Sequence, residues 1–446
     1  MAMVVKNNMS AIRTLATLNT NNTSLQDSLS KVASGLKINT AKDDASGYAI
    51  SERMRVQIRS LDQANQNSQN ASSLMKNAEG AVERTIDILR TLKQKAIDAA
   101  TDTNTDEDRA TIQKELDQFI DQIDDNALIT FNGKYLLEGS RAASGSAVAT
   151  HLTNSNLATD TALASKLVEL KNRNGESLEI NSGDRVTVSF VLQGKTYTSV
   201  MTNVASTTKL EDVYGMLNQA KNAGQTASTA FAKSDTVQIG ATIGNAASGK
   251  QILTKDGLGA LTFVASATGL EGQISGLSIS VADSEGNVKK ATNTALDAFK
   301  TSIYASNQTE DGSVSFQIGA SANQAIKVGL MDMRSEALGL KGRDGTTIQI
   351  TTRAAANAAV SAFDNALNKA LDQQTTIGAI SARLDYTASN LTTSSENVTA
   401  AESTIRDADM AKEMTNYTKN NVLLQAAQSM LAQANQNSSA VLSLLQ

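Results

Sequence analysis

Apolar residues recur at intervals of three or four over long stretches near both ends of this 446-residue chain, and this pattern constrains the fold more than any other feature. The cleanest series alternates three and four without a slip: Leu61, Ala64, Ser68, Ala71, Met75, Ala78, Val82, Thr85, Leu89, Leu92, Ala96 and Ala99. A second series has one residue at every seventh position: Phe363, Ala370, Ile377, Leu384, Leu391, Val398 and Ile405. A repeat of about 3.5 residues keeps one helix face on a partner, so both series predict long helices packed lengthwise.

Two thinner series lie outside these. Toward the N-terminus the apolar positions are Ile12, Leu15, Leu25, Leu29, Val32 and Leu36, and the helix they predict ends near Gly35. In the last segment the positions are Leu424, Ala427, Leu431, Ala434, Ser438, Val441 and Leu445. A stripe of about two residues in seven is too narrow to stabilise an isolated helix, so the N- and C-terminal helices are predicted to pair.

Between the helical ends the apolar period becomes two. Val186, Val188, Phe190 and Leu192 alternate along one run, and Gln193-Gly194 separates it from a second run around Tyr197, which predicts a β-hairpin. Further strands are predicted around Phe263 and Ile279, and another helix from Asp106 to Ile123. The predicted fold class is therefore mainly α: a long antiparallel helical coiled-coil rod from paired N- and C-terminal segments, with a β-rich inserted outer domain.

Composition excludes most site chemistry. The chain has no Cys, no Pro, no Trp and one His, so thiolate metal sites, disulfides, thiol nucleophiles and paired-histidine zinc sites are impossible. A net charge of −5 offers no basic field for nucleic acid or an anionic membrane. We expect no enzyme activity, no catalytic residue, no metal, no cofactor, no nucleic-acid partner and no membrane insertion. The first residues also lack the apolar core of a cleaved secretory signal.

Four local patterns approach known sites. Gly244–Gln251 nearly matches a phosphate-binding loop, but Gln251 stands where a hydroxyl must bind magnesium, so a turn is predicted. Asp102–Asp106 resembles the start of a calcium loop without its Gly and terminal Glu, and capping of the next helix is predicted. Asp43-Asp44 is also interpreted as the cap of a helix start. His151 is predicted to be a surface histidine.

Several separate blocks resemble bacterial flagellin, the subunit of the flagellar filament. On the N-terminal side they are Ser34–Gly47, Ile58–Ala64 and Phe131–Leu137. On the C-terminal side they are Phe316–Ala320, Ala337–Leu340, Leu431–Gln436 and Val441–Leu445. The blocks occur in the order found in flagellins, and together they span about residues 1–140 and 315–446.

The resemblance implies a layered architecture and a route of assembly. Residues 1–44 with 407–446 would form the inner terminal coiled-coil layer, 45–176 with 315–406 the helical middle layer, and 177–314 the variable surface-exposed domain. It also implies secretion by the flagellar type III export apparatus, with an export chaperone on the C-terminal helix, and contact with filament cap and junction proteins. The subunit would self-assemble into a helical homopolymer.

The narrow terminal stripes suggest how such assembly works. Their burial stabilises too little to offset an ordering entropy of about 1–2 kcal/mol per residue, so the ends are expected to be disordered in the monomer and to fold between neighbours. The predicted polymerisation interface is made of Ile12, Leu15, Leu25, Leu29, Val32, Leu36, Leu424, Leu431, Val441 and Leu445.

Flagellins are also sensed by a Toll-like receptor through middle-layer helices, and the matching positions here are Leu89, Arg90 and Glu115. Thr91 and Lys95 depart from the family's motif, so the resemblance implies weakened recognition. Two other interpretations compete with a filament subunit, and a third is excluded. A hook–filament junction protein has similar terminal helices, a surface adhesin or binding module would use residues 177–314, and a filament-borne zinc peptidase is ruled out because it needs more than one His.

Overall fold

A computed structural model describes residues 8–222, 225, 226, 231 and 237–444, with side chains described except at 221, 222, 225, 226, 237–240 and 437–444. Its α-helices are α1 (Met9–Ser34), α2 (Ala45–Ala99), α3 (Asp106–Ala127), α4 (Leu210–Gln219), α5 (Lys290–Leu296), α6 (Ser335–Leu338), α7 (Arg353–Arg406) and α8 (Met410–Leu444). Every helix predicted from periodicity is present. None of the helices in these described ranges combines the length and hydropathy needed to cross a membrane.

The strands lie almost entirely between α3 and α6. They are β1 (Thr130–Phe131), β2 (Lys134–Tyr135), β3 (His151–Asn154), β4 (Arg185–Leu192), β5 (Lys195–Met201), β6 (Lys221–Asn222), β7 (Gln225–Thr226), β8 (Val237–Gly240), β9 (Thr242–Asn245), β10 (Gln251–Leu253), β11 (Ala260–Val264), β12 (Ile274–Ala282), β13 (Phe299–Ile303), β14 (Val314–Gln317) and β15 (Ala325–Val328). Antiparallel pairing builds a sheet in the order β12-β4-β5-β6-β7 and another in the order β13-β3-β11-β8. The pairs β1-β2, β9-β10 and β14-β15 form separate two-stranded ribbons.

The chain divides into two compact units. One contains the residues up to Gln69, Gln317–Gln324 and the residues from Tyr386 onward. The other contains Asn70–Phe316 and Ala325–Asp385. Most of α2 and α7 and all of the larger sheets therefore belong to the second unit, whereas α1 and α8 belong to the first.

The long stripe on α2 is buried along its whole length. All twelve positions from Leu61 to Ala99 are buried, as the unbroken alternation predicted. On α7 the seventh-residue series is buried from Phe363 to Leu391, and Val398 is half-buried. Within the second unit the two helices run antiparallel, because Lys93 Nζ lies 2.6 Å from Asp364 Oδ1 while Ser72, earlier on α2, bonds to Asp385, later on α7.

The scarce aromatic residues are concentrated in the strand-rich core of the second unit. Its connected ring contacts involve Phe190, Tyr197, Tyr214, Phe231, Phe263 and Phe299. These include four of the eight Phe residues in the chain. The predicted hairpin is confirmed as β4-β5, and both Gln193 and Gly194 have positive φ, as a tight two-residue turn requires.

This core extends further toward the N-terminus than periodicity predicted. Strand β3 pairs with both β11 and β13, although its residues fall in the predicted middle-layer range 45–176. Leu152, Leu157 and Leu167 pack into the same core as the strands of 177–314. The four residues of β3 are too few to show a period. A central strand that is contacted on both faces also needs no alternation of apolar and polar residues.

Gly276 on β12 allows the sheet to approach α7 closely. Its φ is +132°, and a Cβ there would lie 2.7 Å from the amide nitrogen of Ala362 and 2.8 Å from the carbonyl oxygen of Ala358. Both atoms belong to helix backbone, which cannot move aside as a flexible side chain would. Only glycine therefore fits at this contact without a shift of the sheet or the helix.

We expect Gly276→Ala to lower the free energy of unfolding by about 1–3 kcal/mol, because the added methyl group overpacks the contact between sheet and helix. Urea unfolding followed by tyrosine fluorescence measures this loss. Gly286→Ala is the matched control, since Gly286 also has positive φ but has open space around the added methyl group. Equal losses for the two variants would show that backbone strain, rather than the contact with α7, explains the effect.

Candidate polymerisation interface

Helices α1 and α8 of the first unit pack side by side in antiparallel directions. Asn21 Nδ2 donates to the carbonyl of Leu423 at 3.3 Å. Asn420 Nδ2 donates to the carbonyl of Ser24 at 3.2 Å and to Ser28 Oγ at 3.0 Å. At the far end, Asn8 Nδ2 donates to the carbonyl of Ala434 at 3.3 Å. The predicted pairing of the two chain ends is therefore present.

The seam between the two helices is narrow and mixes apolar with polar residues. At intervals of three and four, half-buried or buried positions on α1 are Ala11, Thr14, Leu18, Asn21, Leu25, Ser28 and Val32. The corresponding positions on α8 are Glu413, Tyr417, Asn420, Leu424, Ala427, Leu431 and Ala434. Among the described side chains of both helices, only Ser28 and Ala427 are fully buried. Such a seam buries little apolar area within one chain.

A second apolar face on α1 lies beside this seam and is exposed. The exposed fractions of Ile12, Leu15 and Leu29 are 54%, 46% and 50%. Leu15 and Leu29 are two heptads apart, and Ile12 precedes Leu15 by three residues, so all three lie on one face of the helix. We call these three residues the outer ridge of α1. On α8, Val422 and Met430 are also exposed.

The ten residues predicted for the interface therefore occupy different positions. Leu25, Val32 and Leu36 on the N-terminal side, with Leu424 and Leu431 on α8, are half-buried within the chain. Ile12, Leu15 and Leu29 form the exposed outer ridge. The side chain of Val441 and all of Leu445 lie outside the described residues. The N-terminal series had combined two helix faces into one stripe.

The connections to the neighbouring helices are tied together by backbone hydrogen bonds. α1 ends at Gly35, whose φ of 72° is left-handed, as the predicted stop near Gly35 requires. The amide of Lys37 donates to the carbonyl of Arg406 at 2.7 Å, and the amide of Ala408 donates to the carbonyl of Gly35 at 2.9 Å. Asp44 Oδ1 accepts the amide of Gly47 at 3.0 Å, which confirms the capping role predicted for Asp44.

Arg406 fixes the end of α7 beside the start of α2. Its side chain is only 6% exposed, and Nη1 lies 2.6 Å from Glu52 Oε1. The guanidinium also lies over the ring of Tyr48, 5.3 Å from its centroid. The hydrogen bond that Arg406 donates to Glu52 holds the pKa of Glu52 below its ordinary value. The arrangement makes Arg406 a positioning residue for the turn that leads into α8.

The near-matches to known sites have structural roles. Gly244–Gln251 forms the β9-β10 hairpin, which is a turn as predicted and not a strand-to-helix loop. Thr105 caps α3 through a reciprocal pair of hydrogen bonds with Asp108, so the capping interpretation of Asp102–Asp106 is confirmed. The surface prediction for His151 is wrong: it is half-buried in β3, its Nδ1 lies 3.0 Å from the carbonyl of Ala149, and burial lowers its pKa.

Two of the three receptor positions are on the surface. Leu89 is fully buried in the α2 stripe. Arg90 is exposed and pairs with Asp87 at 2.9 Å. Glu115 is exposed on α3 and pairs with Lys95 of α2 at 2.7 Å.

Sequence reasoning missed the polar residues that hold this unit together. The apolar series do not include Asn21 and Asn420, although both fall at the three-four spacing of the seam. Arg406 gave a weaker signal, a lone cation beside the apolar position Ile405. The contact with Tyr48 and Glu52 joins residues more than 350 positions apart, and no local pattern indicates it.

Comparison with known proteins identifies the family. Residues 5–142 match the bacterial flagellin N-terminal helical region, and residues 360–445 match the bacterial flagellin C-terminal helical region. A flagellin of Clostridium tyrobutyricum is 32% identical, over 97% of this chain and 99% of its own length. The chain belongs to the bacterial flagellin family. A flagellin of Bacillus subtilis (strain 168) is 30% identical, over 99% of this chain and 100% of its own length.

A solved structure of flagellar hook-associated protein-3 from Legionella pneumophila is 15% identical, with a TM-score of 0.33, over 78% of this chain and 97% of that one. The match to flagellins over nearly the whole chain confirms the interpretation as a filament subunit. The chain is a structural protein that self-assembles into the extracellular flagellar filament for motility, and it is not an enzyme.

We expect Arg406→Met to lower the temperature at which filaments disassemble by several degrees, because it removes the ion pair that positions the turn before α8. The ion pair stabilises the filament above the ordinary pKa of Glu52, and this stabilisation is lost as the pH falls through the lowered pKa. Because the variant lacks the pair, its disassembly temperature should fall less steeply over that pH range. Sedimentation of filaments after stepwise heating at several pH values measures both effects.

Arg90→Met is the matched control, since the pair between Arg90 and Asp87 is well exposed and such pairs contribute little. If both variants disassembled at the temperature of the parent chain, Arg406 would have no positioning role.

Proposed function

We propose that the outer ridge of α1 contacts neighbouring copies in the filament, while the half-buried residues Leu25, Val32, Leu36, Leu424 and Leu431 pack within the chain. The observation that carries this proposal is the exposure of Ile12, Leu15 and Leu29 on one face of a helix whose other face already has a partner. Val441 and Leu445 extend the same spacing and are proposed to continue the α8 side of the interface.

The energetics support folding of the ends on assembly. Ordering the 26 residues of α1 costs about 1–2 kcal/mol per residue in backbone entropy. Full burial of an Ile or Leu side chain contributes about 1.5–3 kcal/mol, and the described seam fully buries only Ser28 and Ala427. Because one chain cannot offset this cost, the ends are proposed to become ordered when copies bury one another's ridges.

The layers follow from the same division. Residues 1–44 with 407–446 are proposed as the inner layer, 45–176 with 315–406 as the middle layer, and 177–314 as the surface-exposed domain. The aromatic core supports an outer segment that folds within one chain, although it shares β3 with the middle range. Export through the flagellar type III apparatus, with an export chaperone and with cap and junction proteins as partners, is proposed from membership of the family.

Replacing Ile12 and Leu15 together with Ser should raise the critical concentration for filament growth by about a hundredfold or more, because two exposed aliphatic side chains no longer gain burial between copies. Growth from filament seeds, followed by light scattering and electron microscopy, measures this concentration. The second unit should unfold at the same urea concentration as in the parent chain, since neither residue belongs to it.

Leu258→Ser is the control, because Leu258 is 52% exposed but lies among the strands of the second unit. It should assemble normally. Unchanged growth of the Ile12 and Leu15 variant would remove the outer ridge from the interface, and slowed growth of the control would show that assembly responds to any lost surface apolar group.

A Toll-like receptor is proposed as a partner with weakened binding. Arg90 and Glu115 present charged groups at the surface, but Leu89 is buried and Thr91 stands where the family's motif has Arg. We expect a cell reporter assay to give low potency for the monomer and higher potency for Thr91→Arg, with Arg90→Met lower still. Full potency of the unmodified chain would contradict the weakening.

A further inference from the structure

A small buried cavity lies where α7, α6, β12 and β13 meet within the second unit. Its volume is about 10 Å³, and its lining includes Ser275, Thr301, Tyr304, Asn365 and Lys369. This is the space open to the centre of a water-sized sphere, so the cavity admits one small particle. The polar character of the lining separates it from a second cavity of this size, which is lined only by apolar side chains such as Leu157 and Phe299.

Lys369 brings a positive charge to this cavity. It is 8% exposed, and its Nζ donates to the carbonyl of Ala337 at 2.6 Å. Among the described residues no carboxylate forms an ion pair with it. The acid that acts on it, Asp332, is itself paired with Arg334 at 2.6 Å. A buried ammonium without a counter-charge is costly, so the site favours a negative partner.

Two hydroxyl groups at the cavity have hydrogen bonds to offer. Ser275 Oγ and Thr301 Oγ1 are buried and have no hydrogen-bond partner among the described atoms, and Ser275 is 3% exposed. The carbonyl of Ala337 is already shared, because it accepts from Gln273 Nε2 at 3.0 Å as well as from Lys369.

We propose that this cavity binds one small monovalent anion of the size of chloride, held by the ammonium of Lys369 and the hydroxyls of Ser275 and Thr301. A neutral water molecule would satisfy the hydroxyls but leave the buried charge without a counter-charge. Burial lowers the pKa of Lys369 to about 8, so the side chain remains protonated at neutral pH, as anion binding requires. The ring of Tyr304, 5.8 Å from Nζ, contributes only a partial negative charge.

The position of this anion gives it a structural role. Lys369 belongs to α7, Ser275 to β12 and Thr301 to β13, and these two strands belong to different sheets. One ion would therefore connect α7 to both sheets of the strand-rich core. The connection lies far along the chain from the outer ridge, so the proposal is independent of the interface between copies.

The test is the thermal unfolding of the full-length monomer at neutral pH and constant ionic strength, with sodium gluconate replaced stepwise by sodium chloride or bromide. Gluconate is too large for the cavity. We expect the unfolding midpoint of the second unit to rise by about 2–4 °C for each tenfold increase in halide above its dissociation constant. Anomalous diffraction from bromide-soaked crystals should place bromide within hydrogen-bond distance of Lys369 Nζ.

Lys369→Met keeps the length of the side chain and should abolish the halide response, whereas Lys76→Met, at an exposed lysine of α2, should retain it. If Lys369→Met does not fold, Ser275→Ala provides the second test and should weaken halide binding about tenfold. A halide response that is absent in the parent chain, or equal in the parent and Ser275→Ala chains, overturns the proposal. Density for water alone in the bromide-soaked crystal also overturns it.

Discussion

The seam between α1 and α8 is the interaction on which the behaviour of this subunit depends. It has the same three-four spacing as the stripes on α2 and α7, but a different composition. The α2 stripe buries Met75, Val82 and Leu89 completely, whereas the terminal seam places Asn21, Ser28 and Asn420 at equivalent positions. Periodicity decides that both pairs of helices form, and composition decides which pair is stable within one chain.

The polar residues in the terminal seam also select one alignment. A stripe of small and polar residues gives similar burial in several registers. The side-chain amide of Asn420 reaches the hydroxyl of Ser28 across the seam at 3.0 Å, and a shift by one heptad would separate these two side chains. A buried polar residue that fixes register at a cost in stability is well known in coiled coils. In this chain we propose that contacts with other copies offset this cost.

Much of the helical fold could be predicted from the sequence because long helices repeat their contacts every turn. The twelve α2 positions, the end of α1 near Gly35, the start of α3 at Asp106 and the β4-β5 hairpin each follow from local chemistry, whereas α3 continues to Ala127, beyond its predicted end at Ile123. The two faces of α1 could not be separated, because Ile12 and Leu15 satisfy the same spacing as the seam positions Ala11 and Thr14. The contacts of Arg406 and Lys369 join distant segments, and strand β3 is too short for a pattern.

The stability of the strand-rich core and the stability of the terminal helices depend on different conditions. The aromatic cluster around Phe263 forms within one chain, so its stability does not depend on protein concentration. We propose that the outer ridge of α1 is buried only by other copies, which then act as a ligand for the folded ends, so the stability of those ends should rise with subunit concentration. Substitutions among the strands therefore change the folding of the monomer, whereas substitutions on the terminal helices change the concentration at which a filament grows. This separation allows the strand-rich segment to change its surface without altering the assembly that carries it.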